Sequence, residues 1–328
     1  MITNMKITVL AGGNSPESAV SERSGIAVAS AFIRKGFEVS LINPAREYAV
    51  NDNCFFKTIA PALDFFHSSP IEEGVHITLS ALALCEKADK VFIALHGGIG
   101  ENGRLSALFD CLGIKYTGSS PEALSLSMDK ILSKQIYSYF GILTPDFTVY
   151  EKGCDRAPLP PRYPCVVKPA NSGSSLGTTL VMRPFEMKKA VENALLYCDT
   201  VLIEAAIFGR ELTVSVLEDK PLAVTEIVKD GIFFDYKSKY TKNAAKELTP
   251  APLPQNIYEK AMKTALNAHR ALRMKNFSRT DMILESETSL LYVLETNAVP
   301  GLTDESILPS AASSVGLGFD ELCLKMLS

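Results

Sequence analysis

Residues 279–297 read RTDMILESETSLLYVLETN. Two runs rich in branched residues, 279–285 and 290–297, flank the polar turn Ser286-Glu287-Thr288-Ser289. That pattern predicts two strands joined as a hairpin. Folding about Thr288 sets Asp281 opposite Glu295 and Arg279 opposite Asn297. Side chains alternate faces along a strand, so these four share one face. Ile283 and Val293 are expected to continue that face inward as packing.

Two carboxylates directly across a hairpin repel each other. Arg279 is one candidate counter-charge. A hard divalent cation is another, because Mg²⁺ takes oxygen ligands, commonly one or two carboxylates plus substrate phosphates. Two carboxylates and a carboxamide suit that job, and an arginine beside them can hold a developing oxyanion. A solvated face with a surface ion pair explains the stretch as well on local grounds. The following Pro300-Gly301-Leu302-Thr303 favours a site, because a Pro-Gly turn can bring backbone N–H groups close to an anion.

The chain has 328 residues, room for two or three domains. Hydrophobic residues make up 47% and charged residues 21%, ordinary for a soluble globular protein. A net charge of −4 implies no general affinity for nucleic acid or an anionic membrane. No apolar run approaches a membrane span, and MITNMKITVLAGG lacks a signal-peptide pattern and reads as a first strand. The seven cysteines are odd in number and form no CxxC, which argues for free thiols in a reducing compartment. The four histidines are dispersed.

No internal repeat or low-complexity segment stands out. The first part alternates strand and helix signals. Ile7–Ala11 is a short apolar strand, and Gly12-Gly13 turns. Ser15 is expected to cap a helix with Pro16 at its first position, and residues 18–35 read as that helix. Strands follow at 37–42 and at Val91–Leu95, the latter ending at His96-Gly97-Gly98. Such alternation predicts a parallel sheet with helices on both faces, whose ligands gather at the carboxyl ends of the strands. A helix-rich region spans 121–140. The strand CVVKPA, the small polar loop 171–177 and a strand at 178–182 read as a hairpin that closes over something. Further strands, a charged loop over 235–248 and a helix over 256–273 precede the acidic hairpin.

Single motifs are modest. Lys168 followed by Gly173-Ser174-Ser175-Leu176-Gly177 can cradle phosphates or be a surface linker; it is not a P-loop. Lys130 counts only in company. The segment 234–240, FDYKSKY, resembles loops that cover an active site, though an ordinary surface loop reads the same. Glu204 and Glu211 can meet ribose hydroxyls or be rim charges. His96 ends a strand and is catalytic or structural. The glycines of 96–103 do not form GxGxxG, so a dinucleotide site is not supported.

Taken together and in order, GGNSPESAVS, HGGIGENG, YTGSSPEALSLSMDK, VVKPANSGSSLG, FDYKSKY, RTD and LETNAVPGLTDES resemble the D-alanine–D-alanine ligases of the ATP-grasp superfamily. The resemblance runs from the first strand to Pro309. It implies an α/β chain: an N-terminal parallel-sheet (pre-ATP-grasp) domain over 1–118, then a two-subdomain α+β ATP-grasp fold, with a central subdomain over 119–203 and a C-terminal subdomain with the metal site over 204–328. It implies ATP- and Mg²⁺-dependent joining of two D-alanines through an acyl phosphate, for peptidoglycan precursor synthesis.

Residue by residue, the resemblance makes Asp281, Glu295 and Asn297 the ligands of two Mg²⁺ ions, with Mn²⁺ as a substitute and Glu295 as the bridge. Lys130, Lys168 and Lys239 match the lysines on the ATP phosphates. Glu204 and Glu211 match nucleotide contacts. Arg279 and the Gly301 N–H match the donors to the oxyanion. Glu17 matches the carboxylate that fixes the first ammonium, with Ser174 and Tyr240 as its hydrogen-bond partners. His96 matches a histidine near the first substrate, and Ser306 the group holding the second carboxylate. Two positions depart from the family. Ala205 stands where a lysine often contacts adenine, so that contact must be backbone or apolar. Ser172 stands where Glu is common, which should alter loop closure. The implied partners are D-alanine and ATP, with no nucleic acid or membrane. A homodimer in the cytoplasm is expected. The competing readings are an ATP-grasp ligase with another second acid, and a nucleotide-binding relative without catalysis.

Overall fold

The computed structural model describes residues 5–51, 53–154, 158–229 and 245–328. Three strands, β1 (Lys6–Leu10), β2 (Glu38–Ile42) and β3 (Lys90–Ile93), form a parallel sheet in the order β2-β1-β3. Parallel neighbours need crossovers. These are α1 (Ser18–Arg34) after β1, then α2 (Ile59–Phe66) and α3 (Leu79–Glu86) after β2. Past their charged first residues, Lys6, Glu38 and Lys90, the strands are buried because both faces are covered: Ile7 and Val9 enter one core cluster, Leu10 and Ile93 another. The carboxyl ends of β1 and β3 lead into the Gly12-Gly13 and His96-Gly97-Gly98 loops, as expected.

Serines of α1 stitch those loops to the helix. Ser21 Oγ accepts the Gly12 N–H (2.8 Å) and donates to Ala94 O (2.8 Å). The expected cap at Ser15 is corrected: α1 starts at Ser18 after Glu17. Ser15 Oγ is drawn instead to the end of β3, donating to His96 O at 2.6 Å while accepting the Glu17 N–H at 3.2 Å.

After α4 (Arg104–Leu112), α5 (Pro121–Met128) and α6 (Lys130–Tyr139) comes an antiparallel sheet of β4 (Phe147–Glu151), β5 (Cys165–Pro169), β6 (Thr179–Val181) and β7 (Thr200–Ala205), in the order β4-β7-β5-β6. Helix α7 (Met187–Ala194) packs against it through Met187, Ala190 and Val191. A third sheet holds β8 (Gly209–Leu217), β9 (Lys220–Lys229), β10 (Ala245–Leu248), β11 (Phe277–Glu285) and β12 (Leu291–Asn297), ordered β10-β9-β8-β11-β12. Helix α8 (Gln255–Ala271) covers it through Ala261 and Ala265. The last helices, α9 (Ile307–Ser314) and α10 (Phe319–Leu327), return to the first sheet, where Leu308, Leu322 and Met326 join its core. Among the described residues no helix is long and apolar enough to cross a membrane.

Two further sequence expectations are corrected. The charged loop over 235–248 ends in strand β10, which pairs antiparallel with β9 (Leu248 opposite Glu226). In the hairpin, Arg279 pairs with Asn297 and Asp281 with Glu295, but the register then shifts, so that Met282 meets Val293. A bulge inserts one residue into one strand and turns the side chains beyond it. Ile283 and Leu294 therefore stay on the Asp281 side, while Val293 is buried on the opposite face.

Behind the hairpin, Tyr137 of α6 donates its hydroxyl to Thr296 Oγ1 (2.8 Å), which lies 3.0 Å from Thr280 Oγ1. All three side chains are buried. This chain of hydroxyls pins α6 to the strands that carry Asp281 and Glu295. Tyr137→Phe is expected to cost about 0.5–1.5 kcal/mol as one hydrogen bond is lost. Thr296→Val leaves two buried hydroxyls to find new partners and should cost roughly 1–3 kcal/mol. Thermal unfolding of both variants, with the larger drop for Thr296→Val, checks this order.

Candidate active site

Asp281 sits at the centre of the hairpin face. Arg279 donates to it through two parallel bonds, Nε to Oδ1 at 2.8 Å and Nη2 to Oδ2 at 2.7 Å. Asn297 Nδ2 adds a bond from across the hairpin (2.9 Å), and Thr213 Oγ1, from the other neighbouring strand, adds one at 2.6 Å. Burial alone would weaken the Arg279 guanidinium, but Asp281 beside it, with Glu295 and Glu101, holds its proton more tightly than usual. The four residues that the hairpin reading placed on one face do share it.

Lys130 joins this face to the Gly/Ser loop. It opens α6, where the Asp129 carboxylate caps the helix by accepting the N–H groups of Ile131 and Leu132. Its ammonium lies 3.3 Å from Glu295 Oε2 and donates to Ser172 O at 2.6 Å. One turn on, at the i+4 spacing that stacks side chains on one helix face, Lys134 has no exposed surface. Its Nζ reaches Glu204 Oε2 (2.8 Å) and Thr144 Oγ1 (2.6 Å). Lys168 meets the other Glu204 oxygen at 2.5 Å. Burial would push the Glu204 carboxyl up, but the two lysines hold it below its ordinary range. Burial lowers the Lys134 ammonium to about 8 against the pull of Glu204.

Between the second and third sheets opens a cavity of ≈ 340 Å³. Its charged lining includes Lys130, Lys168, Glu204, Glu211, Asp281 and Glu295; its apolar lining includes Val166, Leu180, Ile207, Ile283 and Leu294. Ala205 lies on this wall as well. Its N–H is already given to Asp146 O at 2.8 Å.

Beside the cavity, two glycines leave room for the Glu17 carboxylate. A Cβ at Gly97 would stand 2.6 Å from Glu17 Oε2, and one at Gly173 would stand 3.0 Å from it. Ser174, next along the Gly/Ser loop, donates its hydroxyl to Glu17 Oε1. Glu101 faces the same carboxylate. Burial, then the charge of Glu17, raises the Glu101 carboxyl to about 8.

His96 is buried with both ring nitrogens engaged. Nδ1 lies 3.1 Å from Val299 O and Nε2 2.9 Å from Ser24 Oγ. A carbonyl only accepts, so Nδ1 carries the proton and Nε2 accepts from Ser24. Burial pushes the ring down to about 4, against the Val299 carbonyl, which keeps it neutral. Past the hairpin, Ser306 Oγ accepts the Thr303 N–H at 3.0 Å. A Cβ at Gly301 would stand 2.6 Å from that oxygen, so any side chain there would displace the Ser306 hydroxyl. Lys239 and Tyr240, with the rest of 234–240, lie outside the described residues.

Sequence reasoning missed Lys134, Thr213, Ser24 and Glu101. Lys134 shares a helix face with Lys130, and Ser24 follows Ser21 by three residues on α1, so their spacing was visible. Thr213 faces Asp281 only through the pairing of β8 with β11. Removing one partner of a buried ion pair strands the other. Lys134→Met is therefore expected to cost on the order of 3 kcal/mol, and adding Glu204→Gln should restore part of the loss. Chemical unfolding of the single and double variants checks this.

Two family models match the chain, the D-ala D-ala ligase N-terminus over residues 6–119 and the D-ala D-ala ligase C-terminus over 138–328. A D-alanine–D-alanine ligase of Syntrophotalea carbinolica is 38% identical over 323 residues, covering 98% of this chain and 95% of its own. Another, from Citrifermentans bemidjiense, is 36% identical with the same coverage. Among solved structures, the Bacillus anthracis D-alanine–D-alanine ligase complexed with ATP superposes with a TM-score of 0.77 at 28% identity, covering 99% of this chain and 96% of that one. The VanG D-Ala:D-Ser ligase of Enterococcus faecalis gives 0.80 at 28% identity, covering 98% of each. The chain belongs to the D-alanine–D-alanine ligase family.

Proposed function

We propose that this protein is an ATP-dependent ligase that joins two D-alanines into D-alanyl-D-alanine for peptidoglycan precursor synthesis. The observation that carries the reading is the convergence of Lys130, Lys168, Asp281 and Glu295 on one cavity whose Gly/Ser loop also touches Glu17. Phosphoryl transfer needs mainly positioning and charge neutralisation. Lys130 and Lys168 meet the phosphates of ATP, and the apolar wall with Ala205 takes the adenine. Glu204 orients Lys168, and Glu211 meets the ribose.

Asp281, Glu295 and Asn297 offer the hard oxygen donors that Mg²⁺ or Mn²⁺ prefers. No group of three His, Cys, Asp or Glu is gathered among the described residues, so ions held there would complete their shells with phosphate oxygens and water. When bound, such ions neutralise phosphate charge. Glu17, fixed by Ser174, holds the ammonium of the first D-alanine, whose carboxylate attacks the γ-phosphate, breaking its bond to the β-phosphate and releasing ADP, to give an acyl phosphate. The amine of the second D-alanine then displaces phosphate. Arg279 and the Gly301 N–H hold the oxyanion of that tetrahedral intermediate, and Ser306 the second carboxylate. Lys239 and Tyr240 complete the site by resemblance. On this reading units 1–118, 119–203 and 204–328 divide the work, and the enzyme acts in the cytoplasm as a homodimer. The odd number of cysteines and the lack of a CxxC pair support a reducing compartment.

The VanG relative makes D-serine the competitor for the second site. Phosphate release from ATP and Mg²⁺ should be stimulated by D-alanine alone, with the dipeptide as product. Stimulation only by D-alanine plus D-serine would assign another second substrate, and no stimulation by any D-amino acid would overturn the ligase reading.

A further inference from the structure

The turn that carries Gly301 is held from outside its own sheet. Leu302 N–H donates to Ser24 Oγ at 3.3 Å, and Ser24 donates to His96 Nε2 at 2.9 Å. His96 Nδ1–H donates to Val299 O at 3.1 Å. On the same loop, the Glu101 carboxyl accepts the Gly97 N–H at 2.8 Å. Residues 299 and 302 are thus fixed on both sides of Gly301, by groups on α1 and on the loop after β3. Ser24 and His96 are buried, and the bonds fix one direction of donation throughout.

We propose that Ser24 and His96 are positioning residues, a relay through which the N-terminal sheet sets where the Gly301 N–H points. The proposal rests on the oxyanion role given to Gly301 above. It separates His96 from direct contact with substrate: both ring nitrogens are spent on the protein. A displacement near 1 Å of a catalytic donor can cost about 10²-fold in rate, so the relay matters although it touches no reacting atom.

The test uses the full chain with Ser24→Ala, His96→Ala and His96→Asn. Asparagine can place its Nδ2 where the ring places Nδ1 and keep the bond to Val299 O. Both alanine variants should lose about 10²-fold in kcat with KM for ATP unchanged, and His96→Asn should recover much of it. Affinity for a phosphinate mimic of the tetrahedral intermediate should fall with kcat. Amide hydrogen exchange over 298–303 should quicken in Ser24→Ala, a readout that does not depend on turnover. Ser24→Ala removes only one hydroxyl and carries the test if His96→Ala does not fold. Unchanged exchange over 298–303 overturns the relay. So does a rise in KM for D-alanine in the His96 variants with Ser24→Ala fully active, which would mark direct substrate contact. Absence of turnover in the unsubstituted enzyme, with quickened exchange in Ser24→Ala, overturns the ligase reading and leaves the relay standing.

Discussion

Asp281 and Glu295 face each other across one hairpin, and the rest of the site is arranged around that like-charge pair. Each carboxylate has its own cation: Asp281 the fork of Arg279, Glu295 the ammonium of Lys130. Direct cross-strand repulsion disfavours such a pair. The protein offsets it with four donors on Asp281, drawn from β8, β11 and β12. A bidentate arginine bond is directional as well as strong, so this arrangement fixes the Asp281 side chain on the cavity wall that it shares with Glu295.

Each sheet contributes one part. The third sheet supplies the carboxylates and Arg279. The second supplies Lys168 and, through β7, Glu204. The first supplies Glu17, the glycine loops and the contacts on Val299 and Leu302. Around the site the parts are tied by a few polar bonds. Lys130 ties the Gly/Ser loop to β12, Tyr137 ties α6 to the hairpin, and His96 ties β3 to the turn after it.

Much of this was legible in the sequence, for identifiable reasons. The parallel sheet followed from short apolar runs separated by helical periods. The hairpin register followed from a polar turn between two branched runs, which placed Asp281 against Glu295 correctly. What stayed hidden depends on geometry that periodicity does not encode. The bulge after Asp281 turned Val293 to the opposite face, and nothing in LLYVLETN marks it. Ser15 has the chemistry of a cap, but a carbonyl 81 residues away competes for its hydroxyl. Lys134 resembles any helical lysine until Glu204 arrives from a strand 70 residues on. The family resemblance supplied roles for Glu17 and Ser306 that local pattern alone did not.

If the Asp281–Glu295–Asn297 face holds the metal that carries the nucleotide, metal and ATP must bind as linked ligands there. Calorimetric titration of the enzyme with ATP, with and without Mg²⁺, reads that linkage for the unsubstituted chain and for Glu295→Gln. The substitution removes charge and keeps shape. Mg²⁺ should tighten ATP binding in the unsubstituted chain, and Glu295→Gln should lose most of that gain while retaining its fold. An equal gain from Mg²⁺ in both proteins would contradict a metal role for this face.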